Sequence, residues 1–256
     1  MIDRTAIIDE SARVGRNVSI GPYSVVGPGV EIGDGTWIGS HVVLRGPTRI
    51  GRENRIFHFA SVGEDPQDKK YAGEETRLEI GDRNTIREYC TINRGTVQDQ
   101  RVTRIGSDNW IMAYVHIAHD CQVGNDVVMA NCATLAGHVH VYDHAILAGF
   151  SMIHQFCHIG SHAFCGMGCG VNRDVPPYVT VASNPARVRG INAEGLRRRG
   201  FTQAQIRNVR RAYRLLYREG LRLEDARERL RELARESPET GILVDFLDHS
   251  ERSITR

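Results

Sequence analysis

The chain has 256 residues, a formal net charge of +2 and 25% charged residues. This length suffices for one large or two modest domains with a sizeable core. The near-neutral charge excludes a chain built as a whole to coat nucleic acid or an anionic membrane. Neither the start, MIDRTAIIDE, nor any later segment has an apolar run long enough for a signal peptide or a spanning helix, so we expect a cytoplasmic protein without stable membrane insertion.

An aliphatic residue recurs every six positions through most of the first two thirds of the chain. The series runs from Ile2 to Val62, resumes in step at Ile80 after a polar segment, restarts one residue out of step at Ile105 and ends at Val171. A glycine often follows the aliphatic residue, where a corner of the chain would favour its conformational freedom. The residue two positions before the aliphatic one is usually small. This slot predicts buried thiols that are neither metal ligands nor disulfide partners, at Cys90, Cys121, Cys157 and Cys169.

A period of six fits neither a helix nor an uninterrupted strand, and it favours short strands separated by regular corners. Such a pattern is typical of a parallel β-helix, whose strands stack about 4.8 Å apart around a narrow prism of aliphatic side chains. The hexads resemble those of the hexapeptide-repeat acyltransferases. That resemblance implies coils of three hexads, eighteen residues long, that wind left-handed against the usual crossover rule; the period alone does not give the hand. We therefore predict an all-β left-handed parallel β-helix over residues 1–190, with an inserted loop near 64–79.

The repeat fades after NRDVPPYVTVASNPARV, where two adjacent prolines mark a boundary. The segments TQAQIRNVRRAYRLLYREG and LEDARERLRELARES then show helical spacing, with start and stop signals at their ends. A last amphipathic stretch, ILVDFLDHS, would complete a bundle. We predict a small, arginine-rich α-helical domain over residues 191–256.

Coils of eighteen residues would place several polar side chains at one corner, one above the other. The polar members of three neighbouring columns are His119, Asp120, His138, His154 and Gln155. The outermost of these residues lie two coil spacings, or roughly 10 Å, apart. A histidine beside a carboxylate is suited to general-base catalysis, although Asp120 can also be an ordinary corner residue. Gly137, above His119, leaves a main-chain N–H that could stabilise an oxyanion.

These columns contain no obvious serine or cysteine nucleophile, so they favour general-base activation of a substrate hydroxyl. A zinc site is the competing interpretation, because three imidazoles from neighbouring coils or chains could bind a metal, as in the β-helical γ-class carbonic anhydrases. The histidines alone do not decide between the two.

Five segments carry a closer resemblance. HIAHDC, AGHV, IHQFC, QDKKYAGE and NAEGLRRRGF resemble the UDP-N-acetylglucosamine O-acyltransferase family, which opens lipid A synthesis, and the similarity covers essentially the whole chain. The resemblance implies transfer of a (R)-3-hydroxyacyl group from acyl carrier protein to the glucosamine 3-hydroxyl of UDP-N-acetylglucosamine. It also implies a homotrimer with active sites between chains, no metal or organic cofactor, and no nucleic-acid partner.

The same resemblance assigns roles to individual residues. His119 would be the general base, Asp120 its supporting carboxylate, and the N–H of Gly137 the oxyanion donor. An exposed basic helix would dock the acidic carrier protein through Arg207, Arg210 and Arg211. The substrate-binding residues would be Asp68, Lys70, His116, His138, His154, Gln155, Asn192, Glu194, Arg198 and Arg199.

One position departs from part of the family. In FCGMGCG, Met167 stands where family members that use long acyl chains have glycine. A methionine would shorten an acyl tunnel, which predicts a preference for about ten carbons, since each buried methylene is worth about 0.8 kcal/mol.

Three alternatives are kept. The first is the N-acyltransferase of the same pathway, whose chains usually carry an extra N-terminal domain, whereas this chain starts in phase at Ile2. The second is a γ-class zinc hydratase, and the third is a scaffold without activity. The sequence does not decide whether the acceptor sugar carries a 3-hydroxyl or a 3-amino group.

Overall fold

The computed structural model describes residues 1–250 and 253–256. Its strands are short, most of them two residues long, because the chain turns a corner after each hexad. In chain order they are β1 (Ile7–Ile8), β2 (Arg13–Val14), β3 (Ser19–Ile20), β4 (Val25–Val26), β5 (Val30–Ile32), β6 (Trp37–Ile38), β7 (Val43–Leu44), β8 (Thr48–Ile50), β9 (Arg55–Ile56), β10 (Ser61–Glu64), β11 (Arg77–Ile80), β12 (Thr85–Ile86), β13 (Thr91–Asn93), β14 (Val102–Ile105), β15 (Trp110–Ile111), β16 (His116–Ile117), β17 (Gln122–Val123), β18 (Val128–Met129), β19 (Thr134–Leu135), β20 (His140–Val141), β21 (Ile146–Leu147), β22 (Met152–Ile153), β23 (His158–Ile159), β24 (Phe164–Cys165), β25 (Gly170–Val171), β26 (Val179–Ala182) and β27 (Arg187–Ile191).

Up to β25, each strand pairs in parallel with strands three places away along the chain, and this gives three sheets. Sheet one runs from β1 through β4 to β25, sheet two from β2 through β5 to β23, and sheet three from β3 through β6 to β24 and β26. In sheet one Ile117 pairs with Leu135, and Leu135 with Ile153, so residues eighteen apart are stacked. The predicted fold is confirmed: the first part of the chain is a left-handed parallel β-helix.

The core is the interior of the prism. The aliphatic residues of successive hexads, such as Ile117, Met129 and Leu135, are fully buried there. The small residue two positions before the aliphatic one is also buried in these coils, as at Ala133 and Ala145, because it lies on the inner side of the corner. The prediction that Cys90, Cys121, Cys157 and Cys169 are buried is confirmed.

Glycine does follow the aliphatic residue in many hexads, but conformational freedom is not the reason. The left-handed backbone conformation falls three residues after the aliphatic position and is mostly taken by other residue types, for example Asp120 at φ 60° and His138 at φ 62°. The glycine directly after the aliphatic residue is needed for space. At Gly33 an added Cβ would lie 2.5 Å from the backbone of Gly51 in the next coil.

The prism has three edges, which we name after the sheets they join. Edge 1–2 contains the corners at 118–121, 136–139 and 154–157; edge 2–3 contains those at 124–127, 142–145 and 160–163; edge 3–1 contains those at 112–115, 130–133, 148–151 and 166–169. The two interruptions of the hexads are also on edge 1–2, because the segment 65–76 joins β10 to β11 and the segment 94–101 joins β13 to β14. The predicted loop near 64–79 is thus shorter than expected, since β11 already begins at Arg77.

The last coil leads into a helical domain. β27 returns antiparallel to β26 and closes sheet three. The helices that follow pack around their own core of Leu196, Ile206, Leu230 and Leu247. They are α1 (Ala193–Arg198), α2 (Gln203–Tyr217), α3 (Leu223–Glu236) and α4 (Gly241–His249), with a 3₁₀ turn at Pro238–Thr240. Thr202 and Gln205 form a capping box that starts α2.

The end of the chain returns to the β-helix, where Ile254 forms a bridge with Asp174 and the Thr255 N–H donates to the Asp174 carbonyl at 2.8 Å. Among the helices of residues 1–250 and 253–256, none is both long and apolar enough to cross a membrane.

A buried asparagine ladder holds edge 2–3 together. Asn54, Asn84 and Asn109 stack in successive coils, and each side chain donates to a glycine carbonyl and accepts from the N–H of the next coil. Within this ladder the Asn84 carboxamide donates to Gly106 O at 2.9 Å and accepts from Asn109 N–H at 3.0 Å.

Replacing Asn84 by Ala should lower the midpoint of thermal unfolding and cost about 1–3 kcal/mol, because it leaves a buried N–H and a buried carbonyl without partners. The matched control is Asn131→Ala, since Asn131 is exposed. Circular dichroism melts of both variants measure the difference, and equal midpoints would contradict a structural role for the ladder.

Candidate active site

His119 and Asp120 occupy the corner between β16 and β17, on edge 1–2. The Nδ1 atom of His119 lies 2.9 Å from Oδ2 of Asp120. A carboxylate only accepts hydrogen bonds, so in the neutral imidazole Nδ1 carries the proton and Nε2 keeps its lone pair. The His119 side chain is 15% exposed and that of Asp120 is fully buried. This is the arrangement of a general base with an orienting carboxylate.

Asp120 is held as a carboxylate by its neighbours. It accepts from the N–H of Thr96 at 2.9 Å and from Thr96 Oγ1 at 2.6 Å, while its own N–H donates to Thr103 Oγ1 at 2.8 Å. Burial by itself raises the pKa of the Asp120 carboxyl, but the hydrogen bonds from His119 and Thr96 outweigh burial and leave this pKa below its usual value. Asp120 is therefore a buried and hydrogen-bonded carboxylate, not a solvated one.

Gly137 lies directly above His119. An ideal Cβ at residue 137 would be 2.5 Å from Cε1 and 2.7 Å from Nε2 of the His119 ring. Any side chain would displace the imidazole, so glycine is required here by contact. The backbone carbonyls of His119 and Gly137 accept from the N–H groups of His138 and Phe156 in the coils above. In the described part of the chain the Gly137 N–H has no acceptor among the backbone pairs.

His138 stands one coil above Asp120, as the spacing of eighteen residues predicts. Its Nε2 is 3.8 Å from Asp120 Oδ2, and its ring packs edge-on against the His119 ring at 5.1 Å. The ring of Phe156 stacks on the His138 ring, with 4.4 Å between the centroids. His119, Asp120 and His138 thus form one contiguous group, and one ligand-type atom from each of them lies within 4.8 Å of the others.

Other predicted residues share this edge. His116 Nδ1 forms a hydrogen bond with Thr91 Oγ1 at 2.7 Å. Burial, followed by the nearby His119, lowers the pKa of His116. His154 and Gln155 are exposed in the next corner above. Asp68 and Lys70 lie in the 65–76 segment, where the Asp68 carboxylate accepts from the Lys70 N–H at 3.0 Å.

The thiol nearest to Asp120 in the chain is not suited to nucleophilic attack. Cys121, the residue next to Asp120, is fully buried, and burial raises the pKa of its thiol to about 12. Its Sγ donates to the carbonyl of Ala136 at 3.2 Å. A thiol with so high a pKa stays protonated near neutral pH and is a poor nucleophile.

Sequence reasoning missed three residues that support the group. Thr96, Thr103 and Asp99 lie in or beside the 94–101 segment, and Asp99 Oδ2 is 2.9 Å from His138 Nδ1. The signal was the second break in the hexads, which marks an insertion at the same edge as His119. The residues within that insertion show no period, so their partners could not be found by counting.

Two predicted sets lie elsewhere in the single chain. Asn192 donates to the His162 carbonyl at 3.0 Å, and Arg199 pairs with Asp126 at 3.4 Å, so this segment lies on edge 2–3. Glu194 is paired with Arg197 and with Arg198. A cavity of about 700 Å³ on this edge is lined by Asn192, Glu194, Arg198 and Arg199, together with His144 and His162.

Met167 lies on the third edge. It is 79% exposed in the 166–169 corner of edge 3–1. Below it, five rings of one column stack at centroid distances of 4.8 to 5.2 Å. They are Tyr23, His41, Phe59, Tyr89 and Tyr114. One chain therefore carries the predicted site residues on three separate edges.

Comparison with known proteins shows to which family the chain belongs. Residues 174–255 match the family model described as UDP N-acetylglucosamine O-acyltransferase, domain 2, and residues 11–46 and 103–137 match the bacterial transferase hexapeptide model. The acyl-[acyl-carrier-protein]–UDP-N-acetylglucosamine O-acyltransferase of Halorhodospira halophila is 57% identical over 212 residues, 83% of this chain and 82% of the relative. The chain belongs to the UDP-N-acetylglucosamine O-acyltransferase family.

Further members of this O-acyltransferase family agree with that assignment. The Alkalilimnicola ehrlichii protein of the same name is 58% identical over 198 residues, 77% of each chain. The solved UDP-N-acetylglucosamine O-acyltransferase of Moraxella catarrhalis is 47% identical, with a TM-score of 0.98 over 100% of this chain and 99% of that chain. The UDP-N-acetylglucosamine acyltransferase of Francisella novicida has the same TM-score at 43% identity, over 100% and 94% of the two chains.

The histidines of edge 2–3 make stability depend on pH. His162 packs between His144, Tyr178 and Phe201. Burial, followed by the nearby His144, lowers the pKa of His162 from 6.5 to about 4. Between these two pH values the unfolded chain binds more protons than the folded protein, so the free energy of unfolding decreases as the pH falls from 6.5 to about 4.

We expect His162→Gln to reduce the fall in melting temperature between pH 7 and pH 5, because the variant no longer has to keep this imidazole neutral. His249→Gln is the matched control, since His249 is exposed at the end of α4. Differential scanning fluorimetry across this range measures the slope. A slope in the His162 variant as steep as in the control would be inconsistent with the lowered pKa.

Proposed function

We propose that this protein transfers a (R)-3-hydroxyacyl group from acyl carrier protein to the glucosamine 3-hydroxyl of UDP-N-acetylglucosamine, the first step of lipid A biosynthesis. The observation that carries the proposal is the His119 imidazole, held at Nδ1 by a buried carboxylate and packed against the backbone of Gly137. The names of the relatives supply the acyl carrier protein and UDP-N-acetylglucosamine.

The chemistry follows from this arrangement. Nε2 of His119 accepts the proton of the sugar 3-hydroxyl while the sugar oxygen attacks the carbonyl carbon of the thioester. Asp120 stabilises the resulting imidazolium, and the N–H of Gly137 donates to the oxyanion of the tetrahedral intermediate. Collapse of the intermediate breaks the carbon–sulfur bond, and the departing thiolate takes the proton from His119. The ester and the free thiol of the carrier are the products.

Substrate binding is divided among residues of edge 1–2 and of the neighbouring chain. Asp68 and Lys70 hold the glucosamine moiety, and four residues of the β-helix edge contact the sugar nucleotide or the thioester. These four are His116, His138, His154 and Gln155. Arginine is suited to phosphate groups, so the segment with Asn192, Glu194, Arg198 and Arg199 binds the uridine and its phosphates.

A homotrimer brings these sets together. In a single chain the uridine segment lies on edge 2–3 and Met167 on edge 3–1, away from His119. The exposed aromatic column of edge 3–1, with Tyr23 62% and Tyr114 57% exposed, is an apolar surface of the kind that marks an interface between subunits. Each active site then lies between two chains, with the carrier protein docked on the exposed basic face of α2 through Arg207, Arg210 and Arg211.

Two rival functions are separated by simple measurements. The N-acyltransferase would require a 3-hydroxyacylated glucosamine acceptor, and its amino group could use the same base. The zinc-hydratase alternative is based on the proximity of His119, Asp120 and His138, whose side chains could bind a metal ion. However, the Asp120 carboxylate already accepts from His119 and twice from Thr96, and a metal would have to replace these donors. Metal analysis of the purified protein tests this alternative.

The central test is acyl transfer itself. Purified protein incubated with UDP-N-acetylglucosamine and 3-hydroxyacyl carrier protein should give the 3-O-acyl product, measured by mass spectrometry. His119→Ala should lower kcat by at least about 100-fold, because it removes the general base, and should leave the melting temperature nearly unchanged. No product from the wild-type protein, or full activity in the variant, would refute the proposed function.

Acyl-chain choice is set by Met167 in this proposal, with a preference for about ten carbons. Met167→Gly should shift the preference toward chains longer by several carbons, because it opens space at the far end of the acyl tunnel. The control is Met152→Gly, which removes an exposed methionine from β22. Competition among carrier proteins with different acyl chains measures the preference, and an unchanged profile in the Met167 variant would rule out a ruler at this position.

A further inference from the structure

The segment 94–101 carries a carboxylate with no role in the function proposed above. Asp99 reaches across the edge to His138, 39 positions later in the chain, and its Oδ2 lies 2.9 Å from Nδ1 of that imidazole. The His138 side chain is 11% exposed and that of Asp99 is 34% exposed. The contact therefore connects a mostly buried ring of the site with a residue at the rim.

The His138 ring is fixed from several directions. Phe156 stacks on it with an interplanar angle of 13°, and His119 packs edge-on at 88°. These contacts set the plane of the ring but not which nitrogen carries the proton, because an imidazole turned over by 180° fills the same space. Only a hydrogen-bond partner distinguishes Nδ1 from Nε2. Asp99 supplies that partner at Nδ1, and Nε2 then faces the Asp120 side of the group.

The segment that carries Asp99 is closed and anchored. The Arg101 N–H donates to the Thr96 carbonyl at 3.1 Å, and the Gly95 N–H donates to Arg77 O at 3.2 Å. Arg94, whose side chain is 8% exposed, pairs with Asp65 of the neighbouring segment. The same segment presents Thr96 to Asp120. Residues of one insertion thus contact both the Asp120 carboxylate and the His138 imidazole.

We propose that Asp99 is a positioning residue for the acyl transfer reaction. It keeps the proton of His138 on Nδ1 and prevents the ring from turning over, so that Nε2 stays on the side of His119 and Asp120. This inference rests on the proposed function for its kinetic test, and on the hydrogen bond alone for its spectroscopic test.

The kinetic test compares three single variants. Asp99→Ala should lower kcat/KM by at least about tenfold, the scale found when the orienting partner of a functional histidine is removed. Asp99→Asn should retain more activity than Asp99→Ala, because its carboxamide oxygen still accepts from Nδ1. Gln98→Ala is the matched control, since Gln98 is exposed in the same segment, and it should behave as wild type.

A double-mutant cycle assigns the effect to His138. In a His138→Ala background, Asp99→Ala should have no further effect, because the two residues act as one unit. Equal kcat/KM for wild type and Asp99→Ala would overturn the proposal. So would a loss that persists at full size in the His138→Ala background, since Asp99 would then act through another group.

A second readout does not depend on activity. In protein labelled with ¹⁵N-histidine, the ring nitrogens of His138 should report protonated Nδ1 in wild type and in Gln98→Ala, and a mixture of the two tautomers in Asp99→Ala. Identical ring-nitrogen shifts in wild type and Asp99→Ala would overturn the proposal even if the enzyme were fully active. Absence of acyl transfer by the wild-type protein would refute the proposed function and leave this comparison valid.

Discussion

The stacking of equal coils is the constraint on which the rest of the molecule depends. The aliphatic residues at each hexad must fill a narrow prism without voids, and this requires coils of constant length. Residues eighteen apart, such as Ile117 and Leu135, then lie in register. The same register carries polar side chains to the corners, which is why His119 meets Gly137 and Asp120 meets His138.

The site uses the corners because they are the places where a β-helix can hold side chains outside its core. A corner residue in the left-handed conformation, such as Asp120, turns its side chain away from the prism and toward the neighbouring segments. Burial there is costly for a carboxylate unless it is hydrogen-bonded. Thr96 and His119 meet that requirement, and the result is a carboxylate that orients an imidazole.

Insertions extend the repeat where it cannot supply enough polar groups. The segments 65–76 and 94–101 interrupt the hexads on the same edge as His119, and Arg94 joins them through its contacts with Asp65 and Tyr71. Stacking of the strands continues across both insertions because each of them leaves and re-enters the prism at one corner, although the hexad count shifts by one residue after the second. A regular core and an irregular, polar rim are thus compatible within one fold. The proposed trimer extends the same logic, since the groups for the nucleotide and the acyl chain lie on other edges.

The six-residue period was enough to predict short strands separated by corners, but it did not give the hand of the helix. The eighteen-residue spacing was enough to place His119, Asp120 and His138 in neighbouring columns, because residues one coil apart lie one above the other. Helical spacing also predicted α-helices after the repeat, of which the first begins at Ala193. Tertiary structure alone decided the partners of those side chains. Thr96 and Asp99 reach Asp120 and His138 from an insertion that has no period. Asn192 lies on a different edge from Met167 because the antiparallel strand β27 leaves the repeat and carries the chain to His162 on edge 2–3. Periodicity predicts what repeats, whereas contacts between segments of unequal length are set by packing in three dimensions.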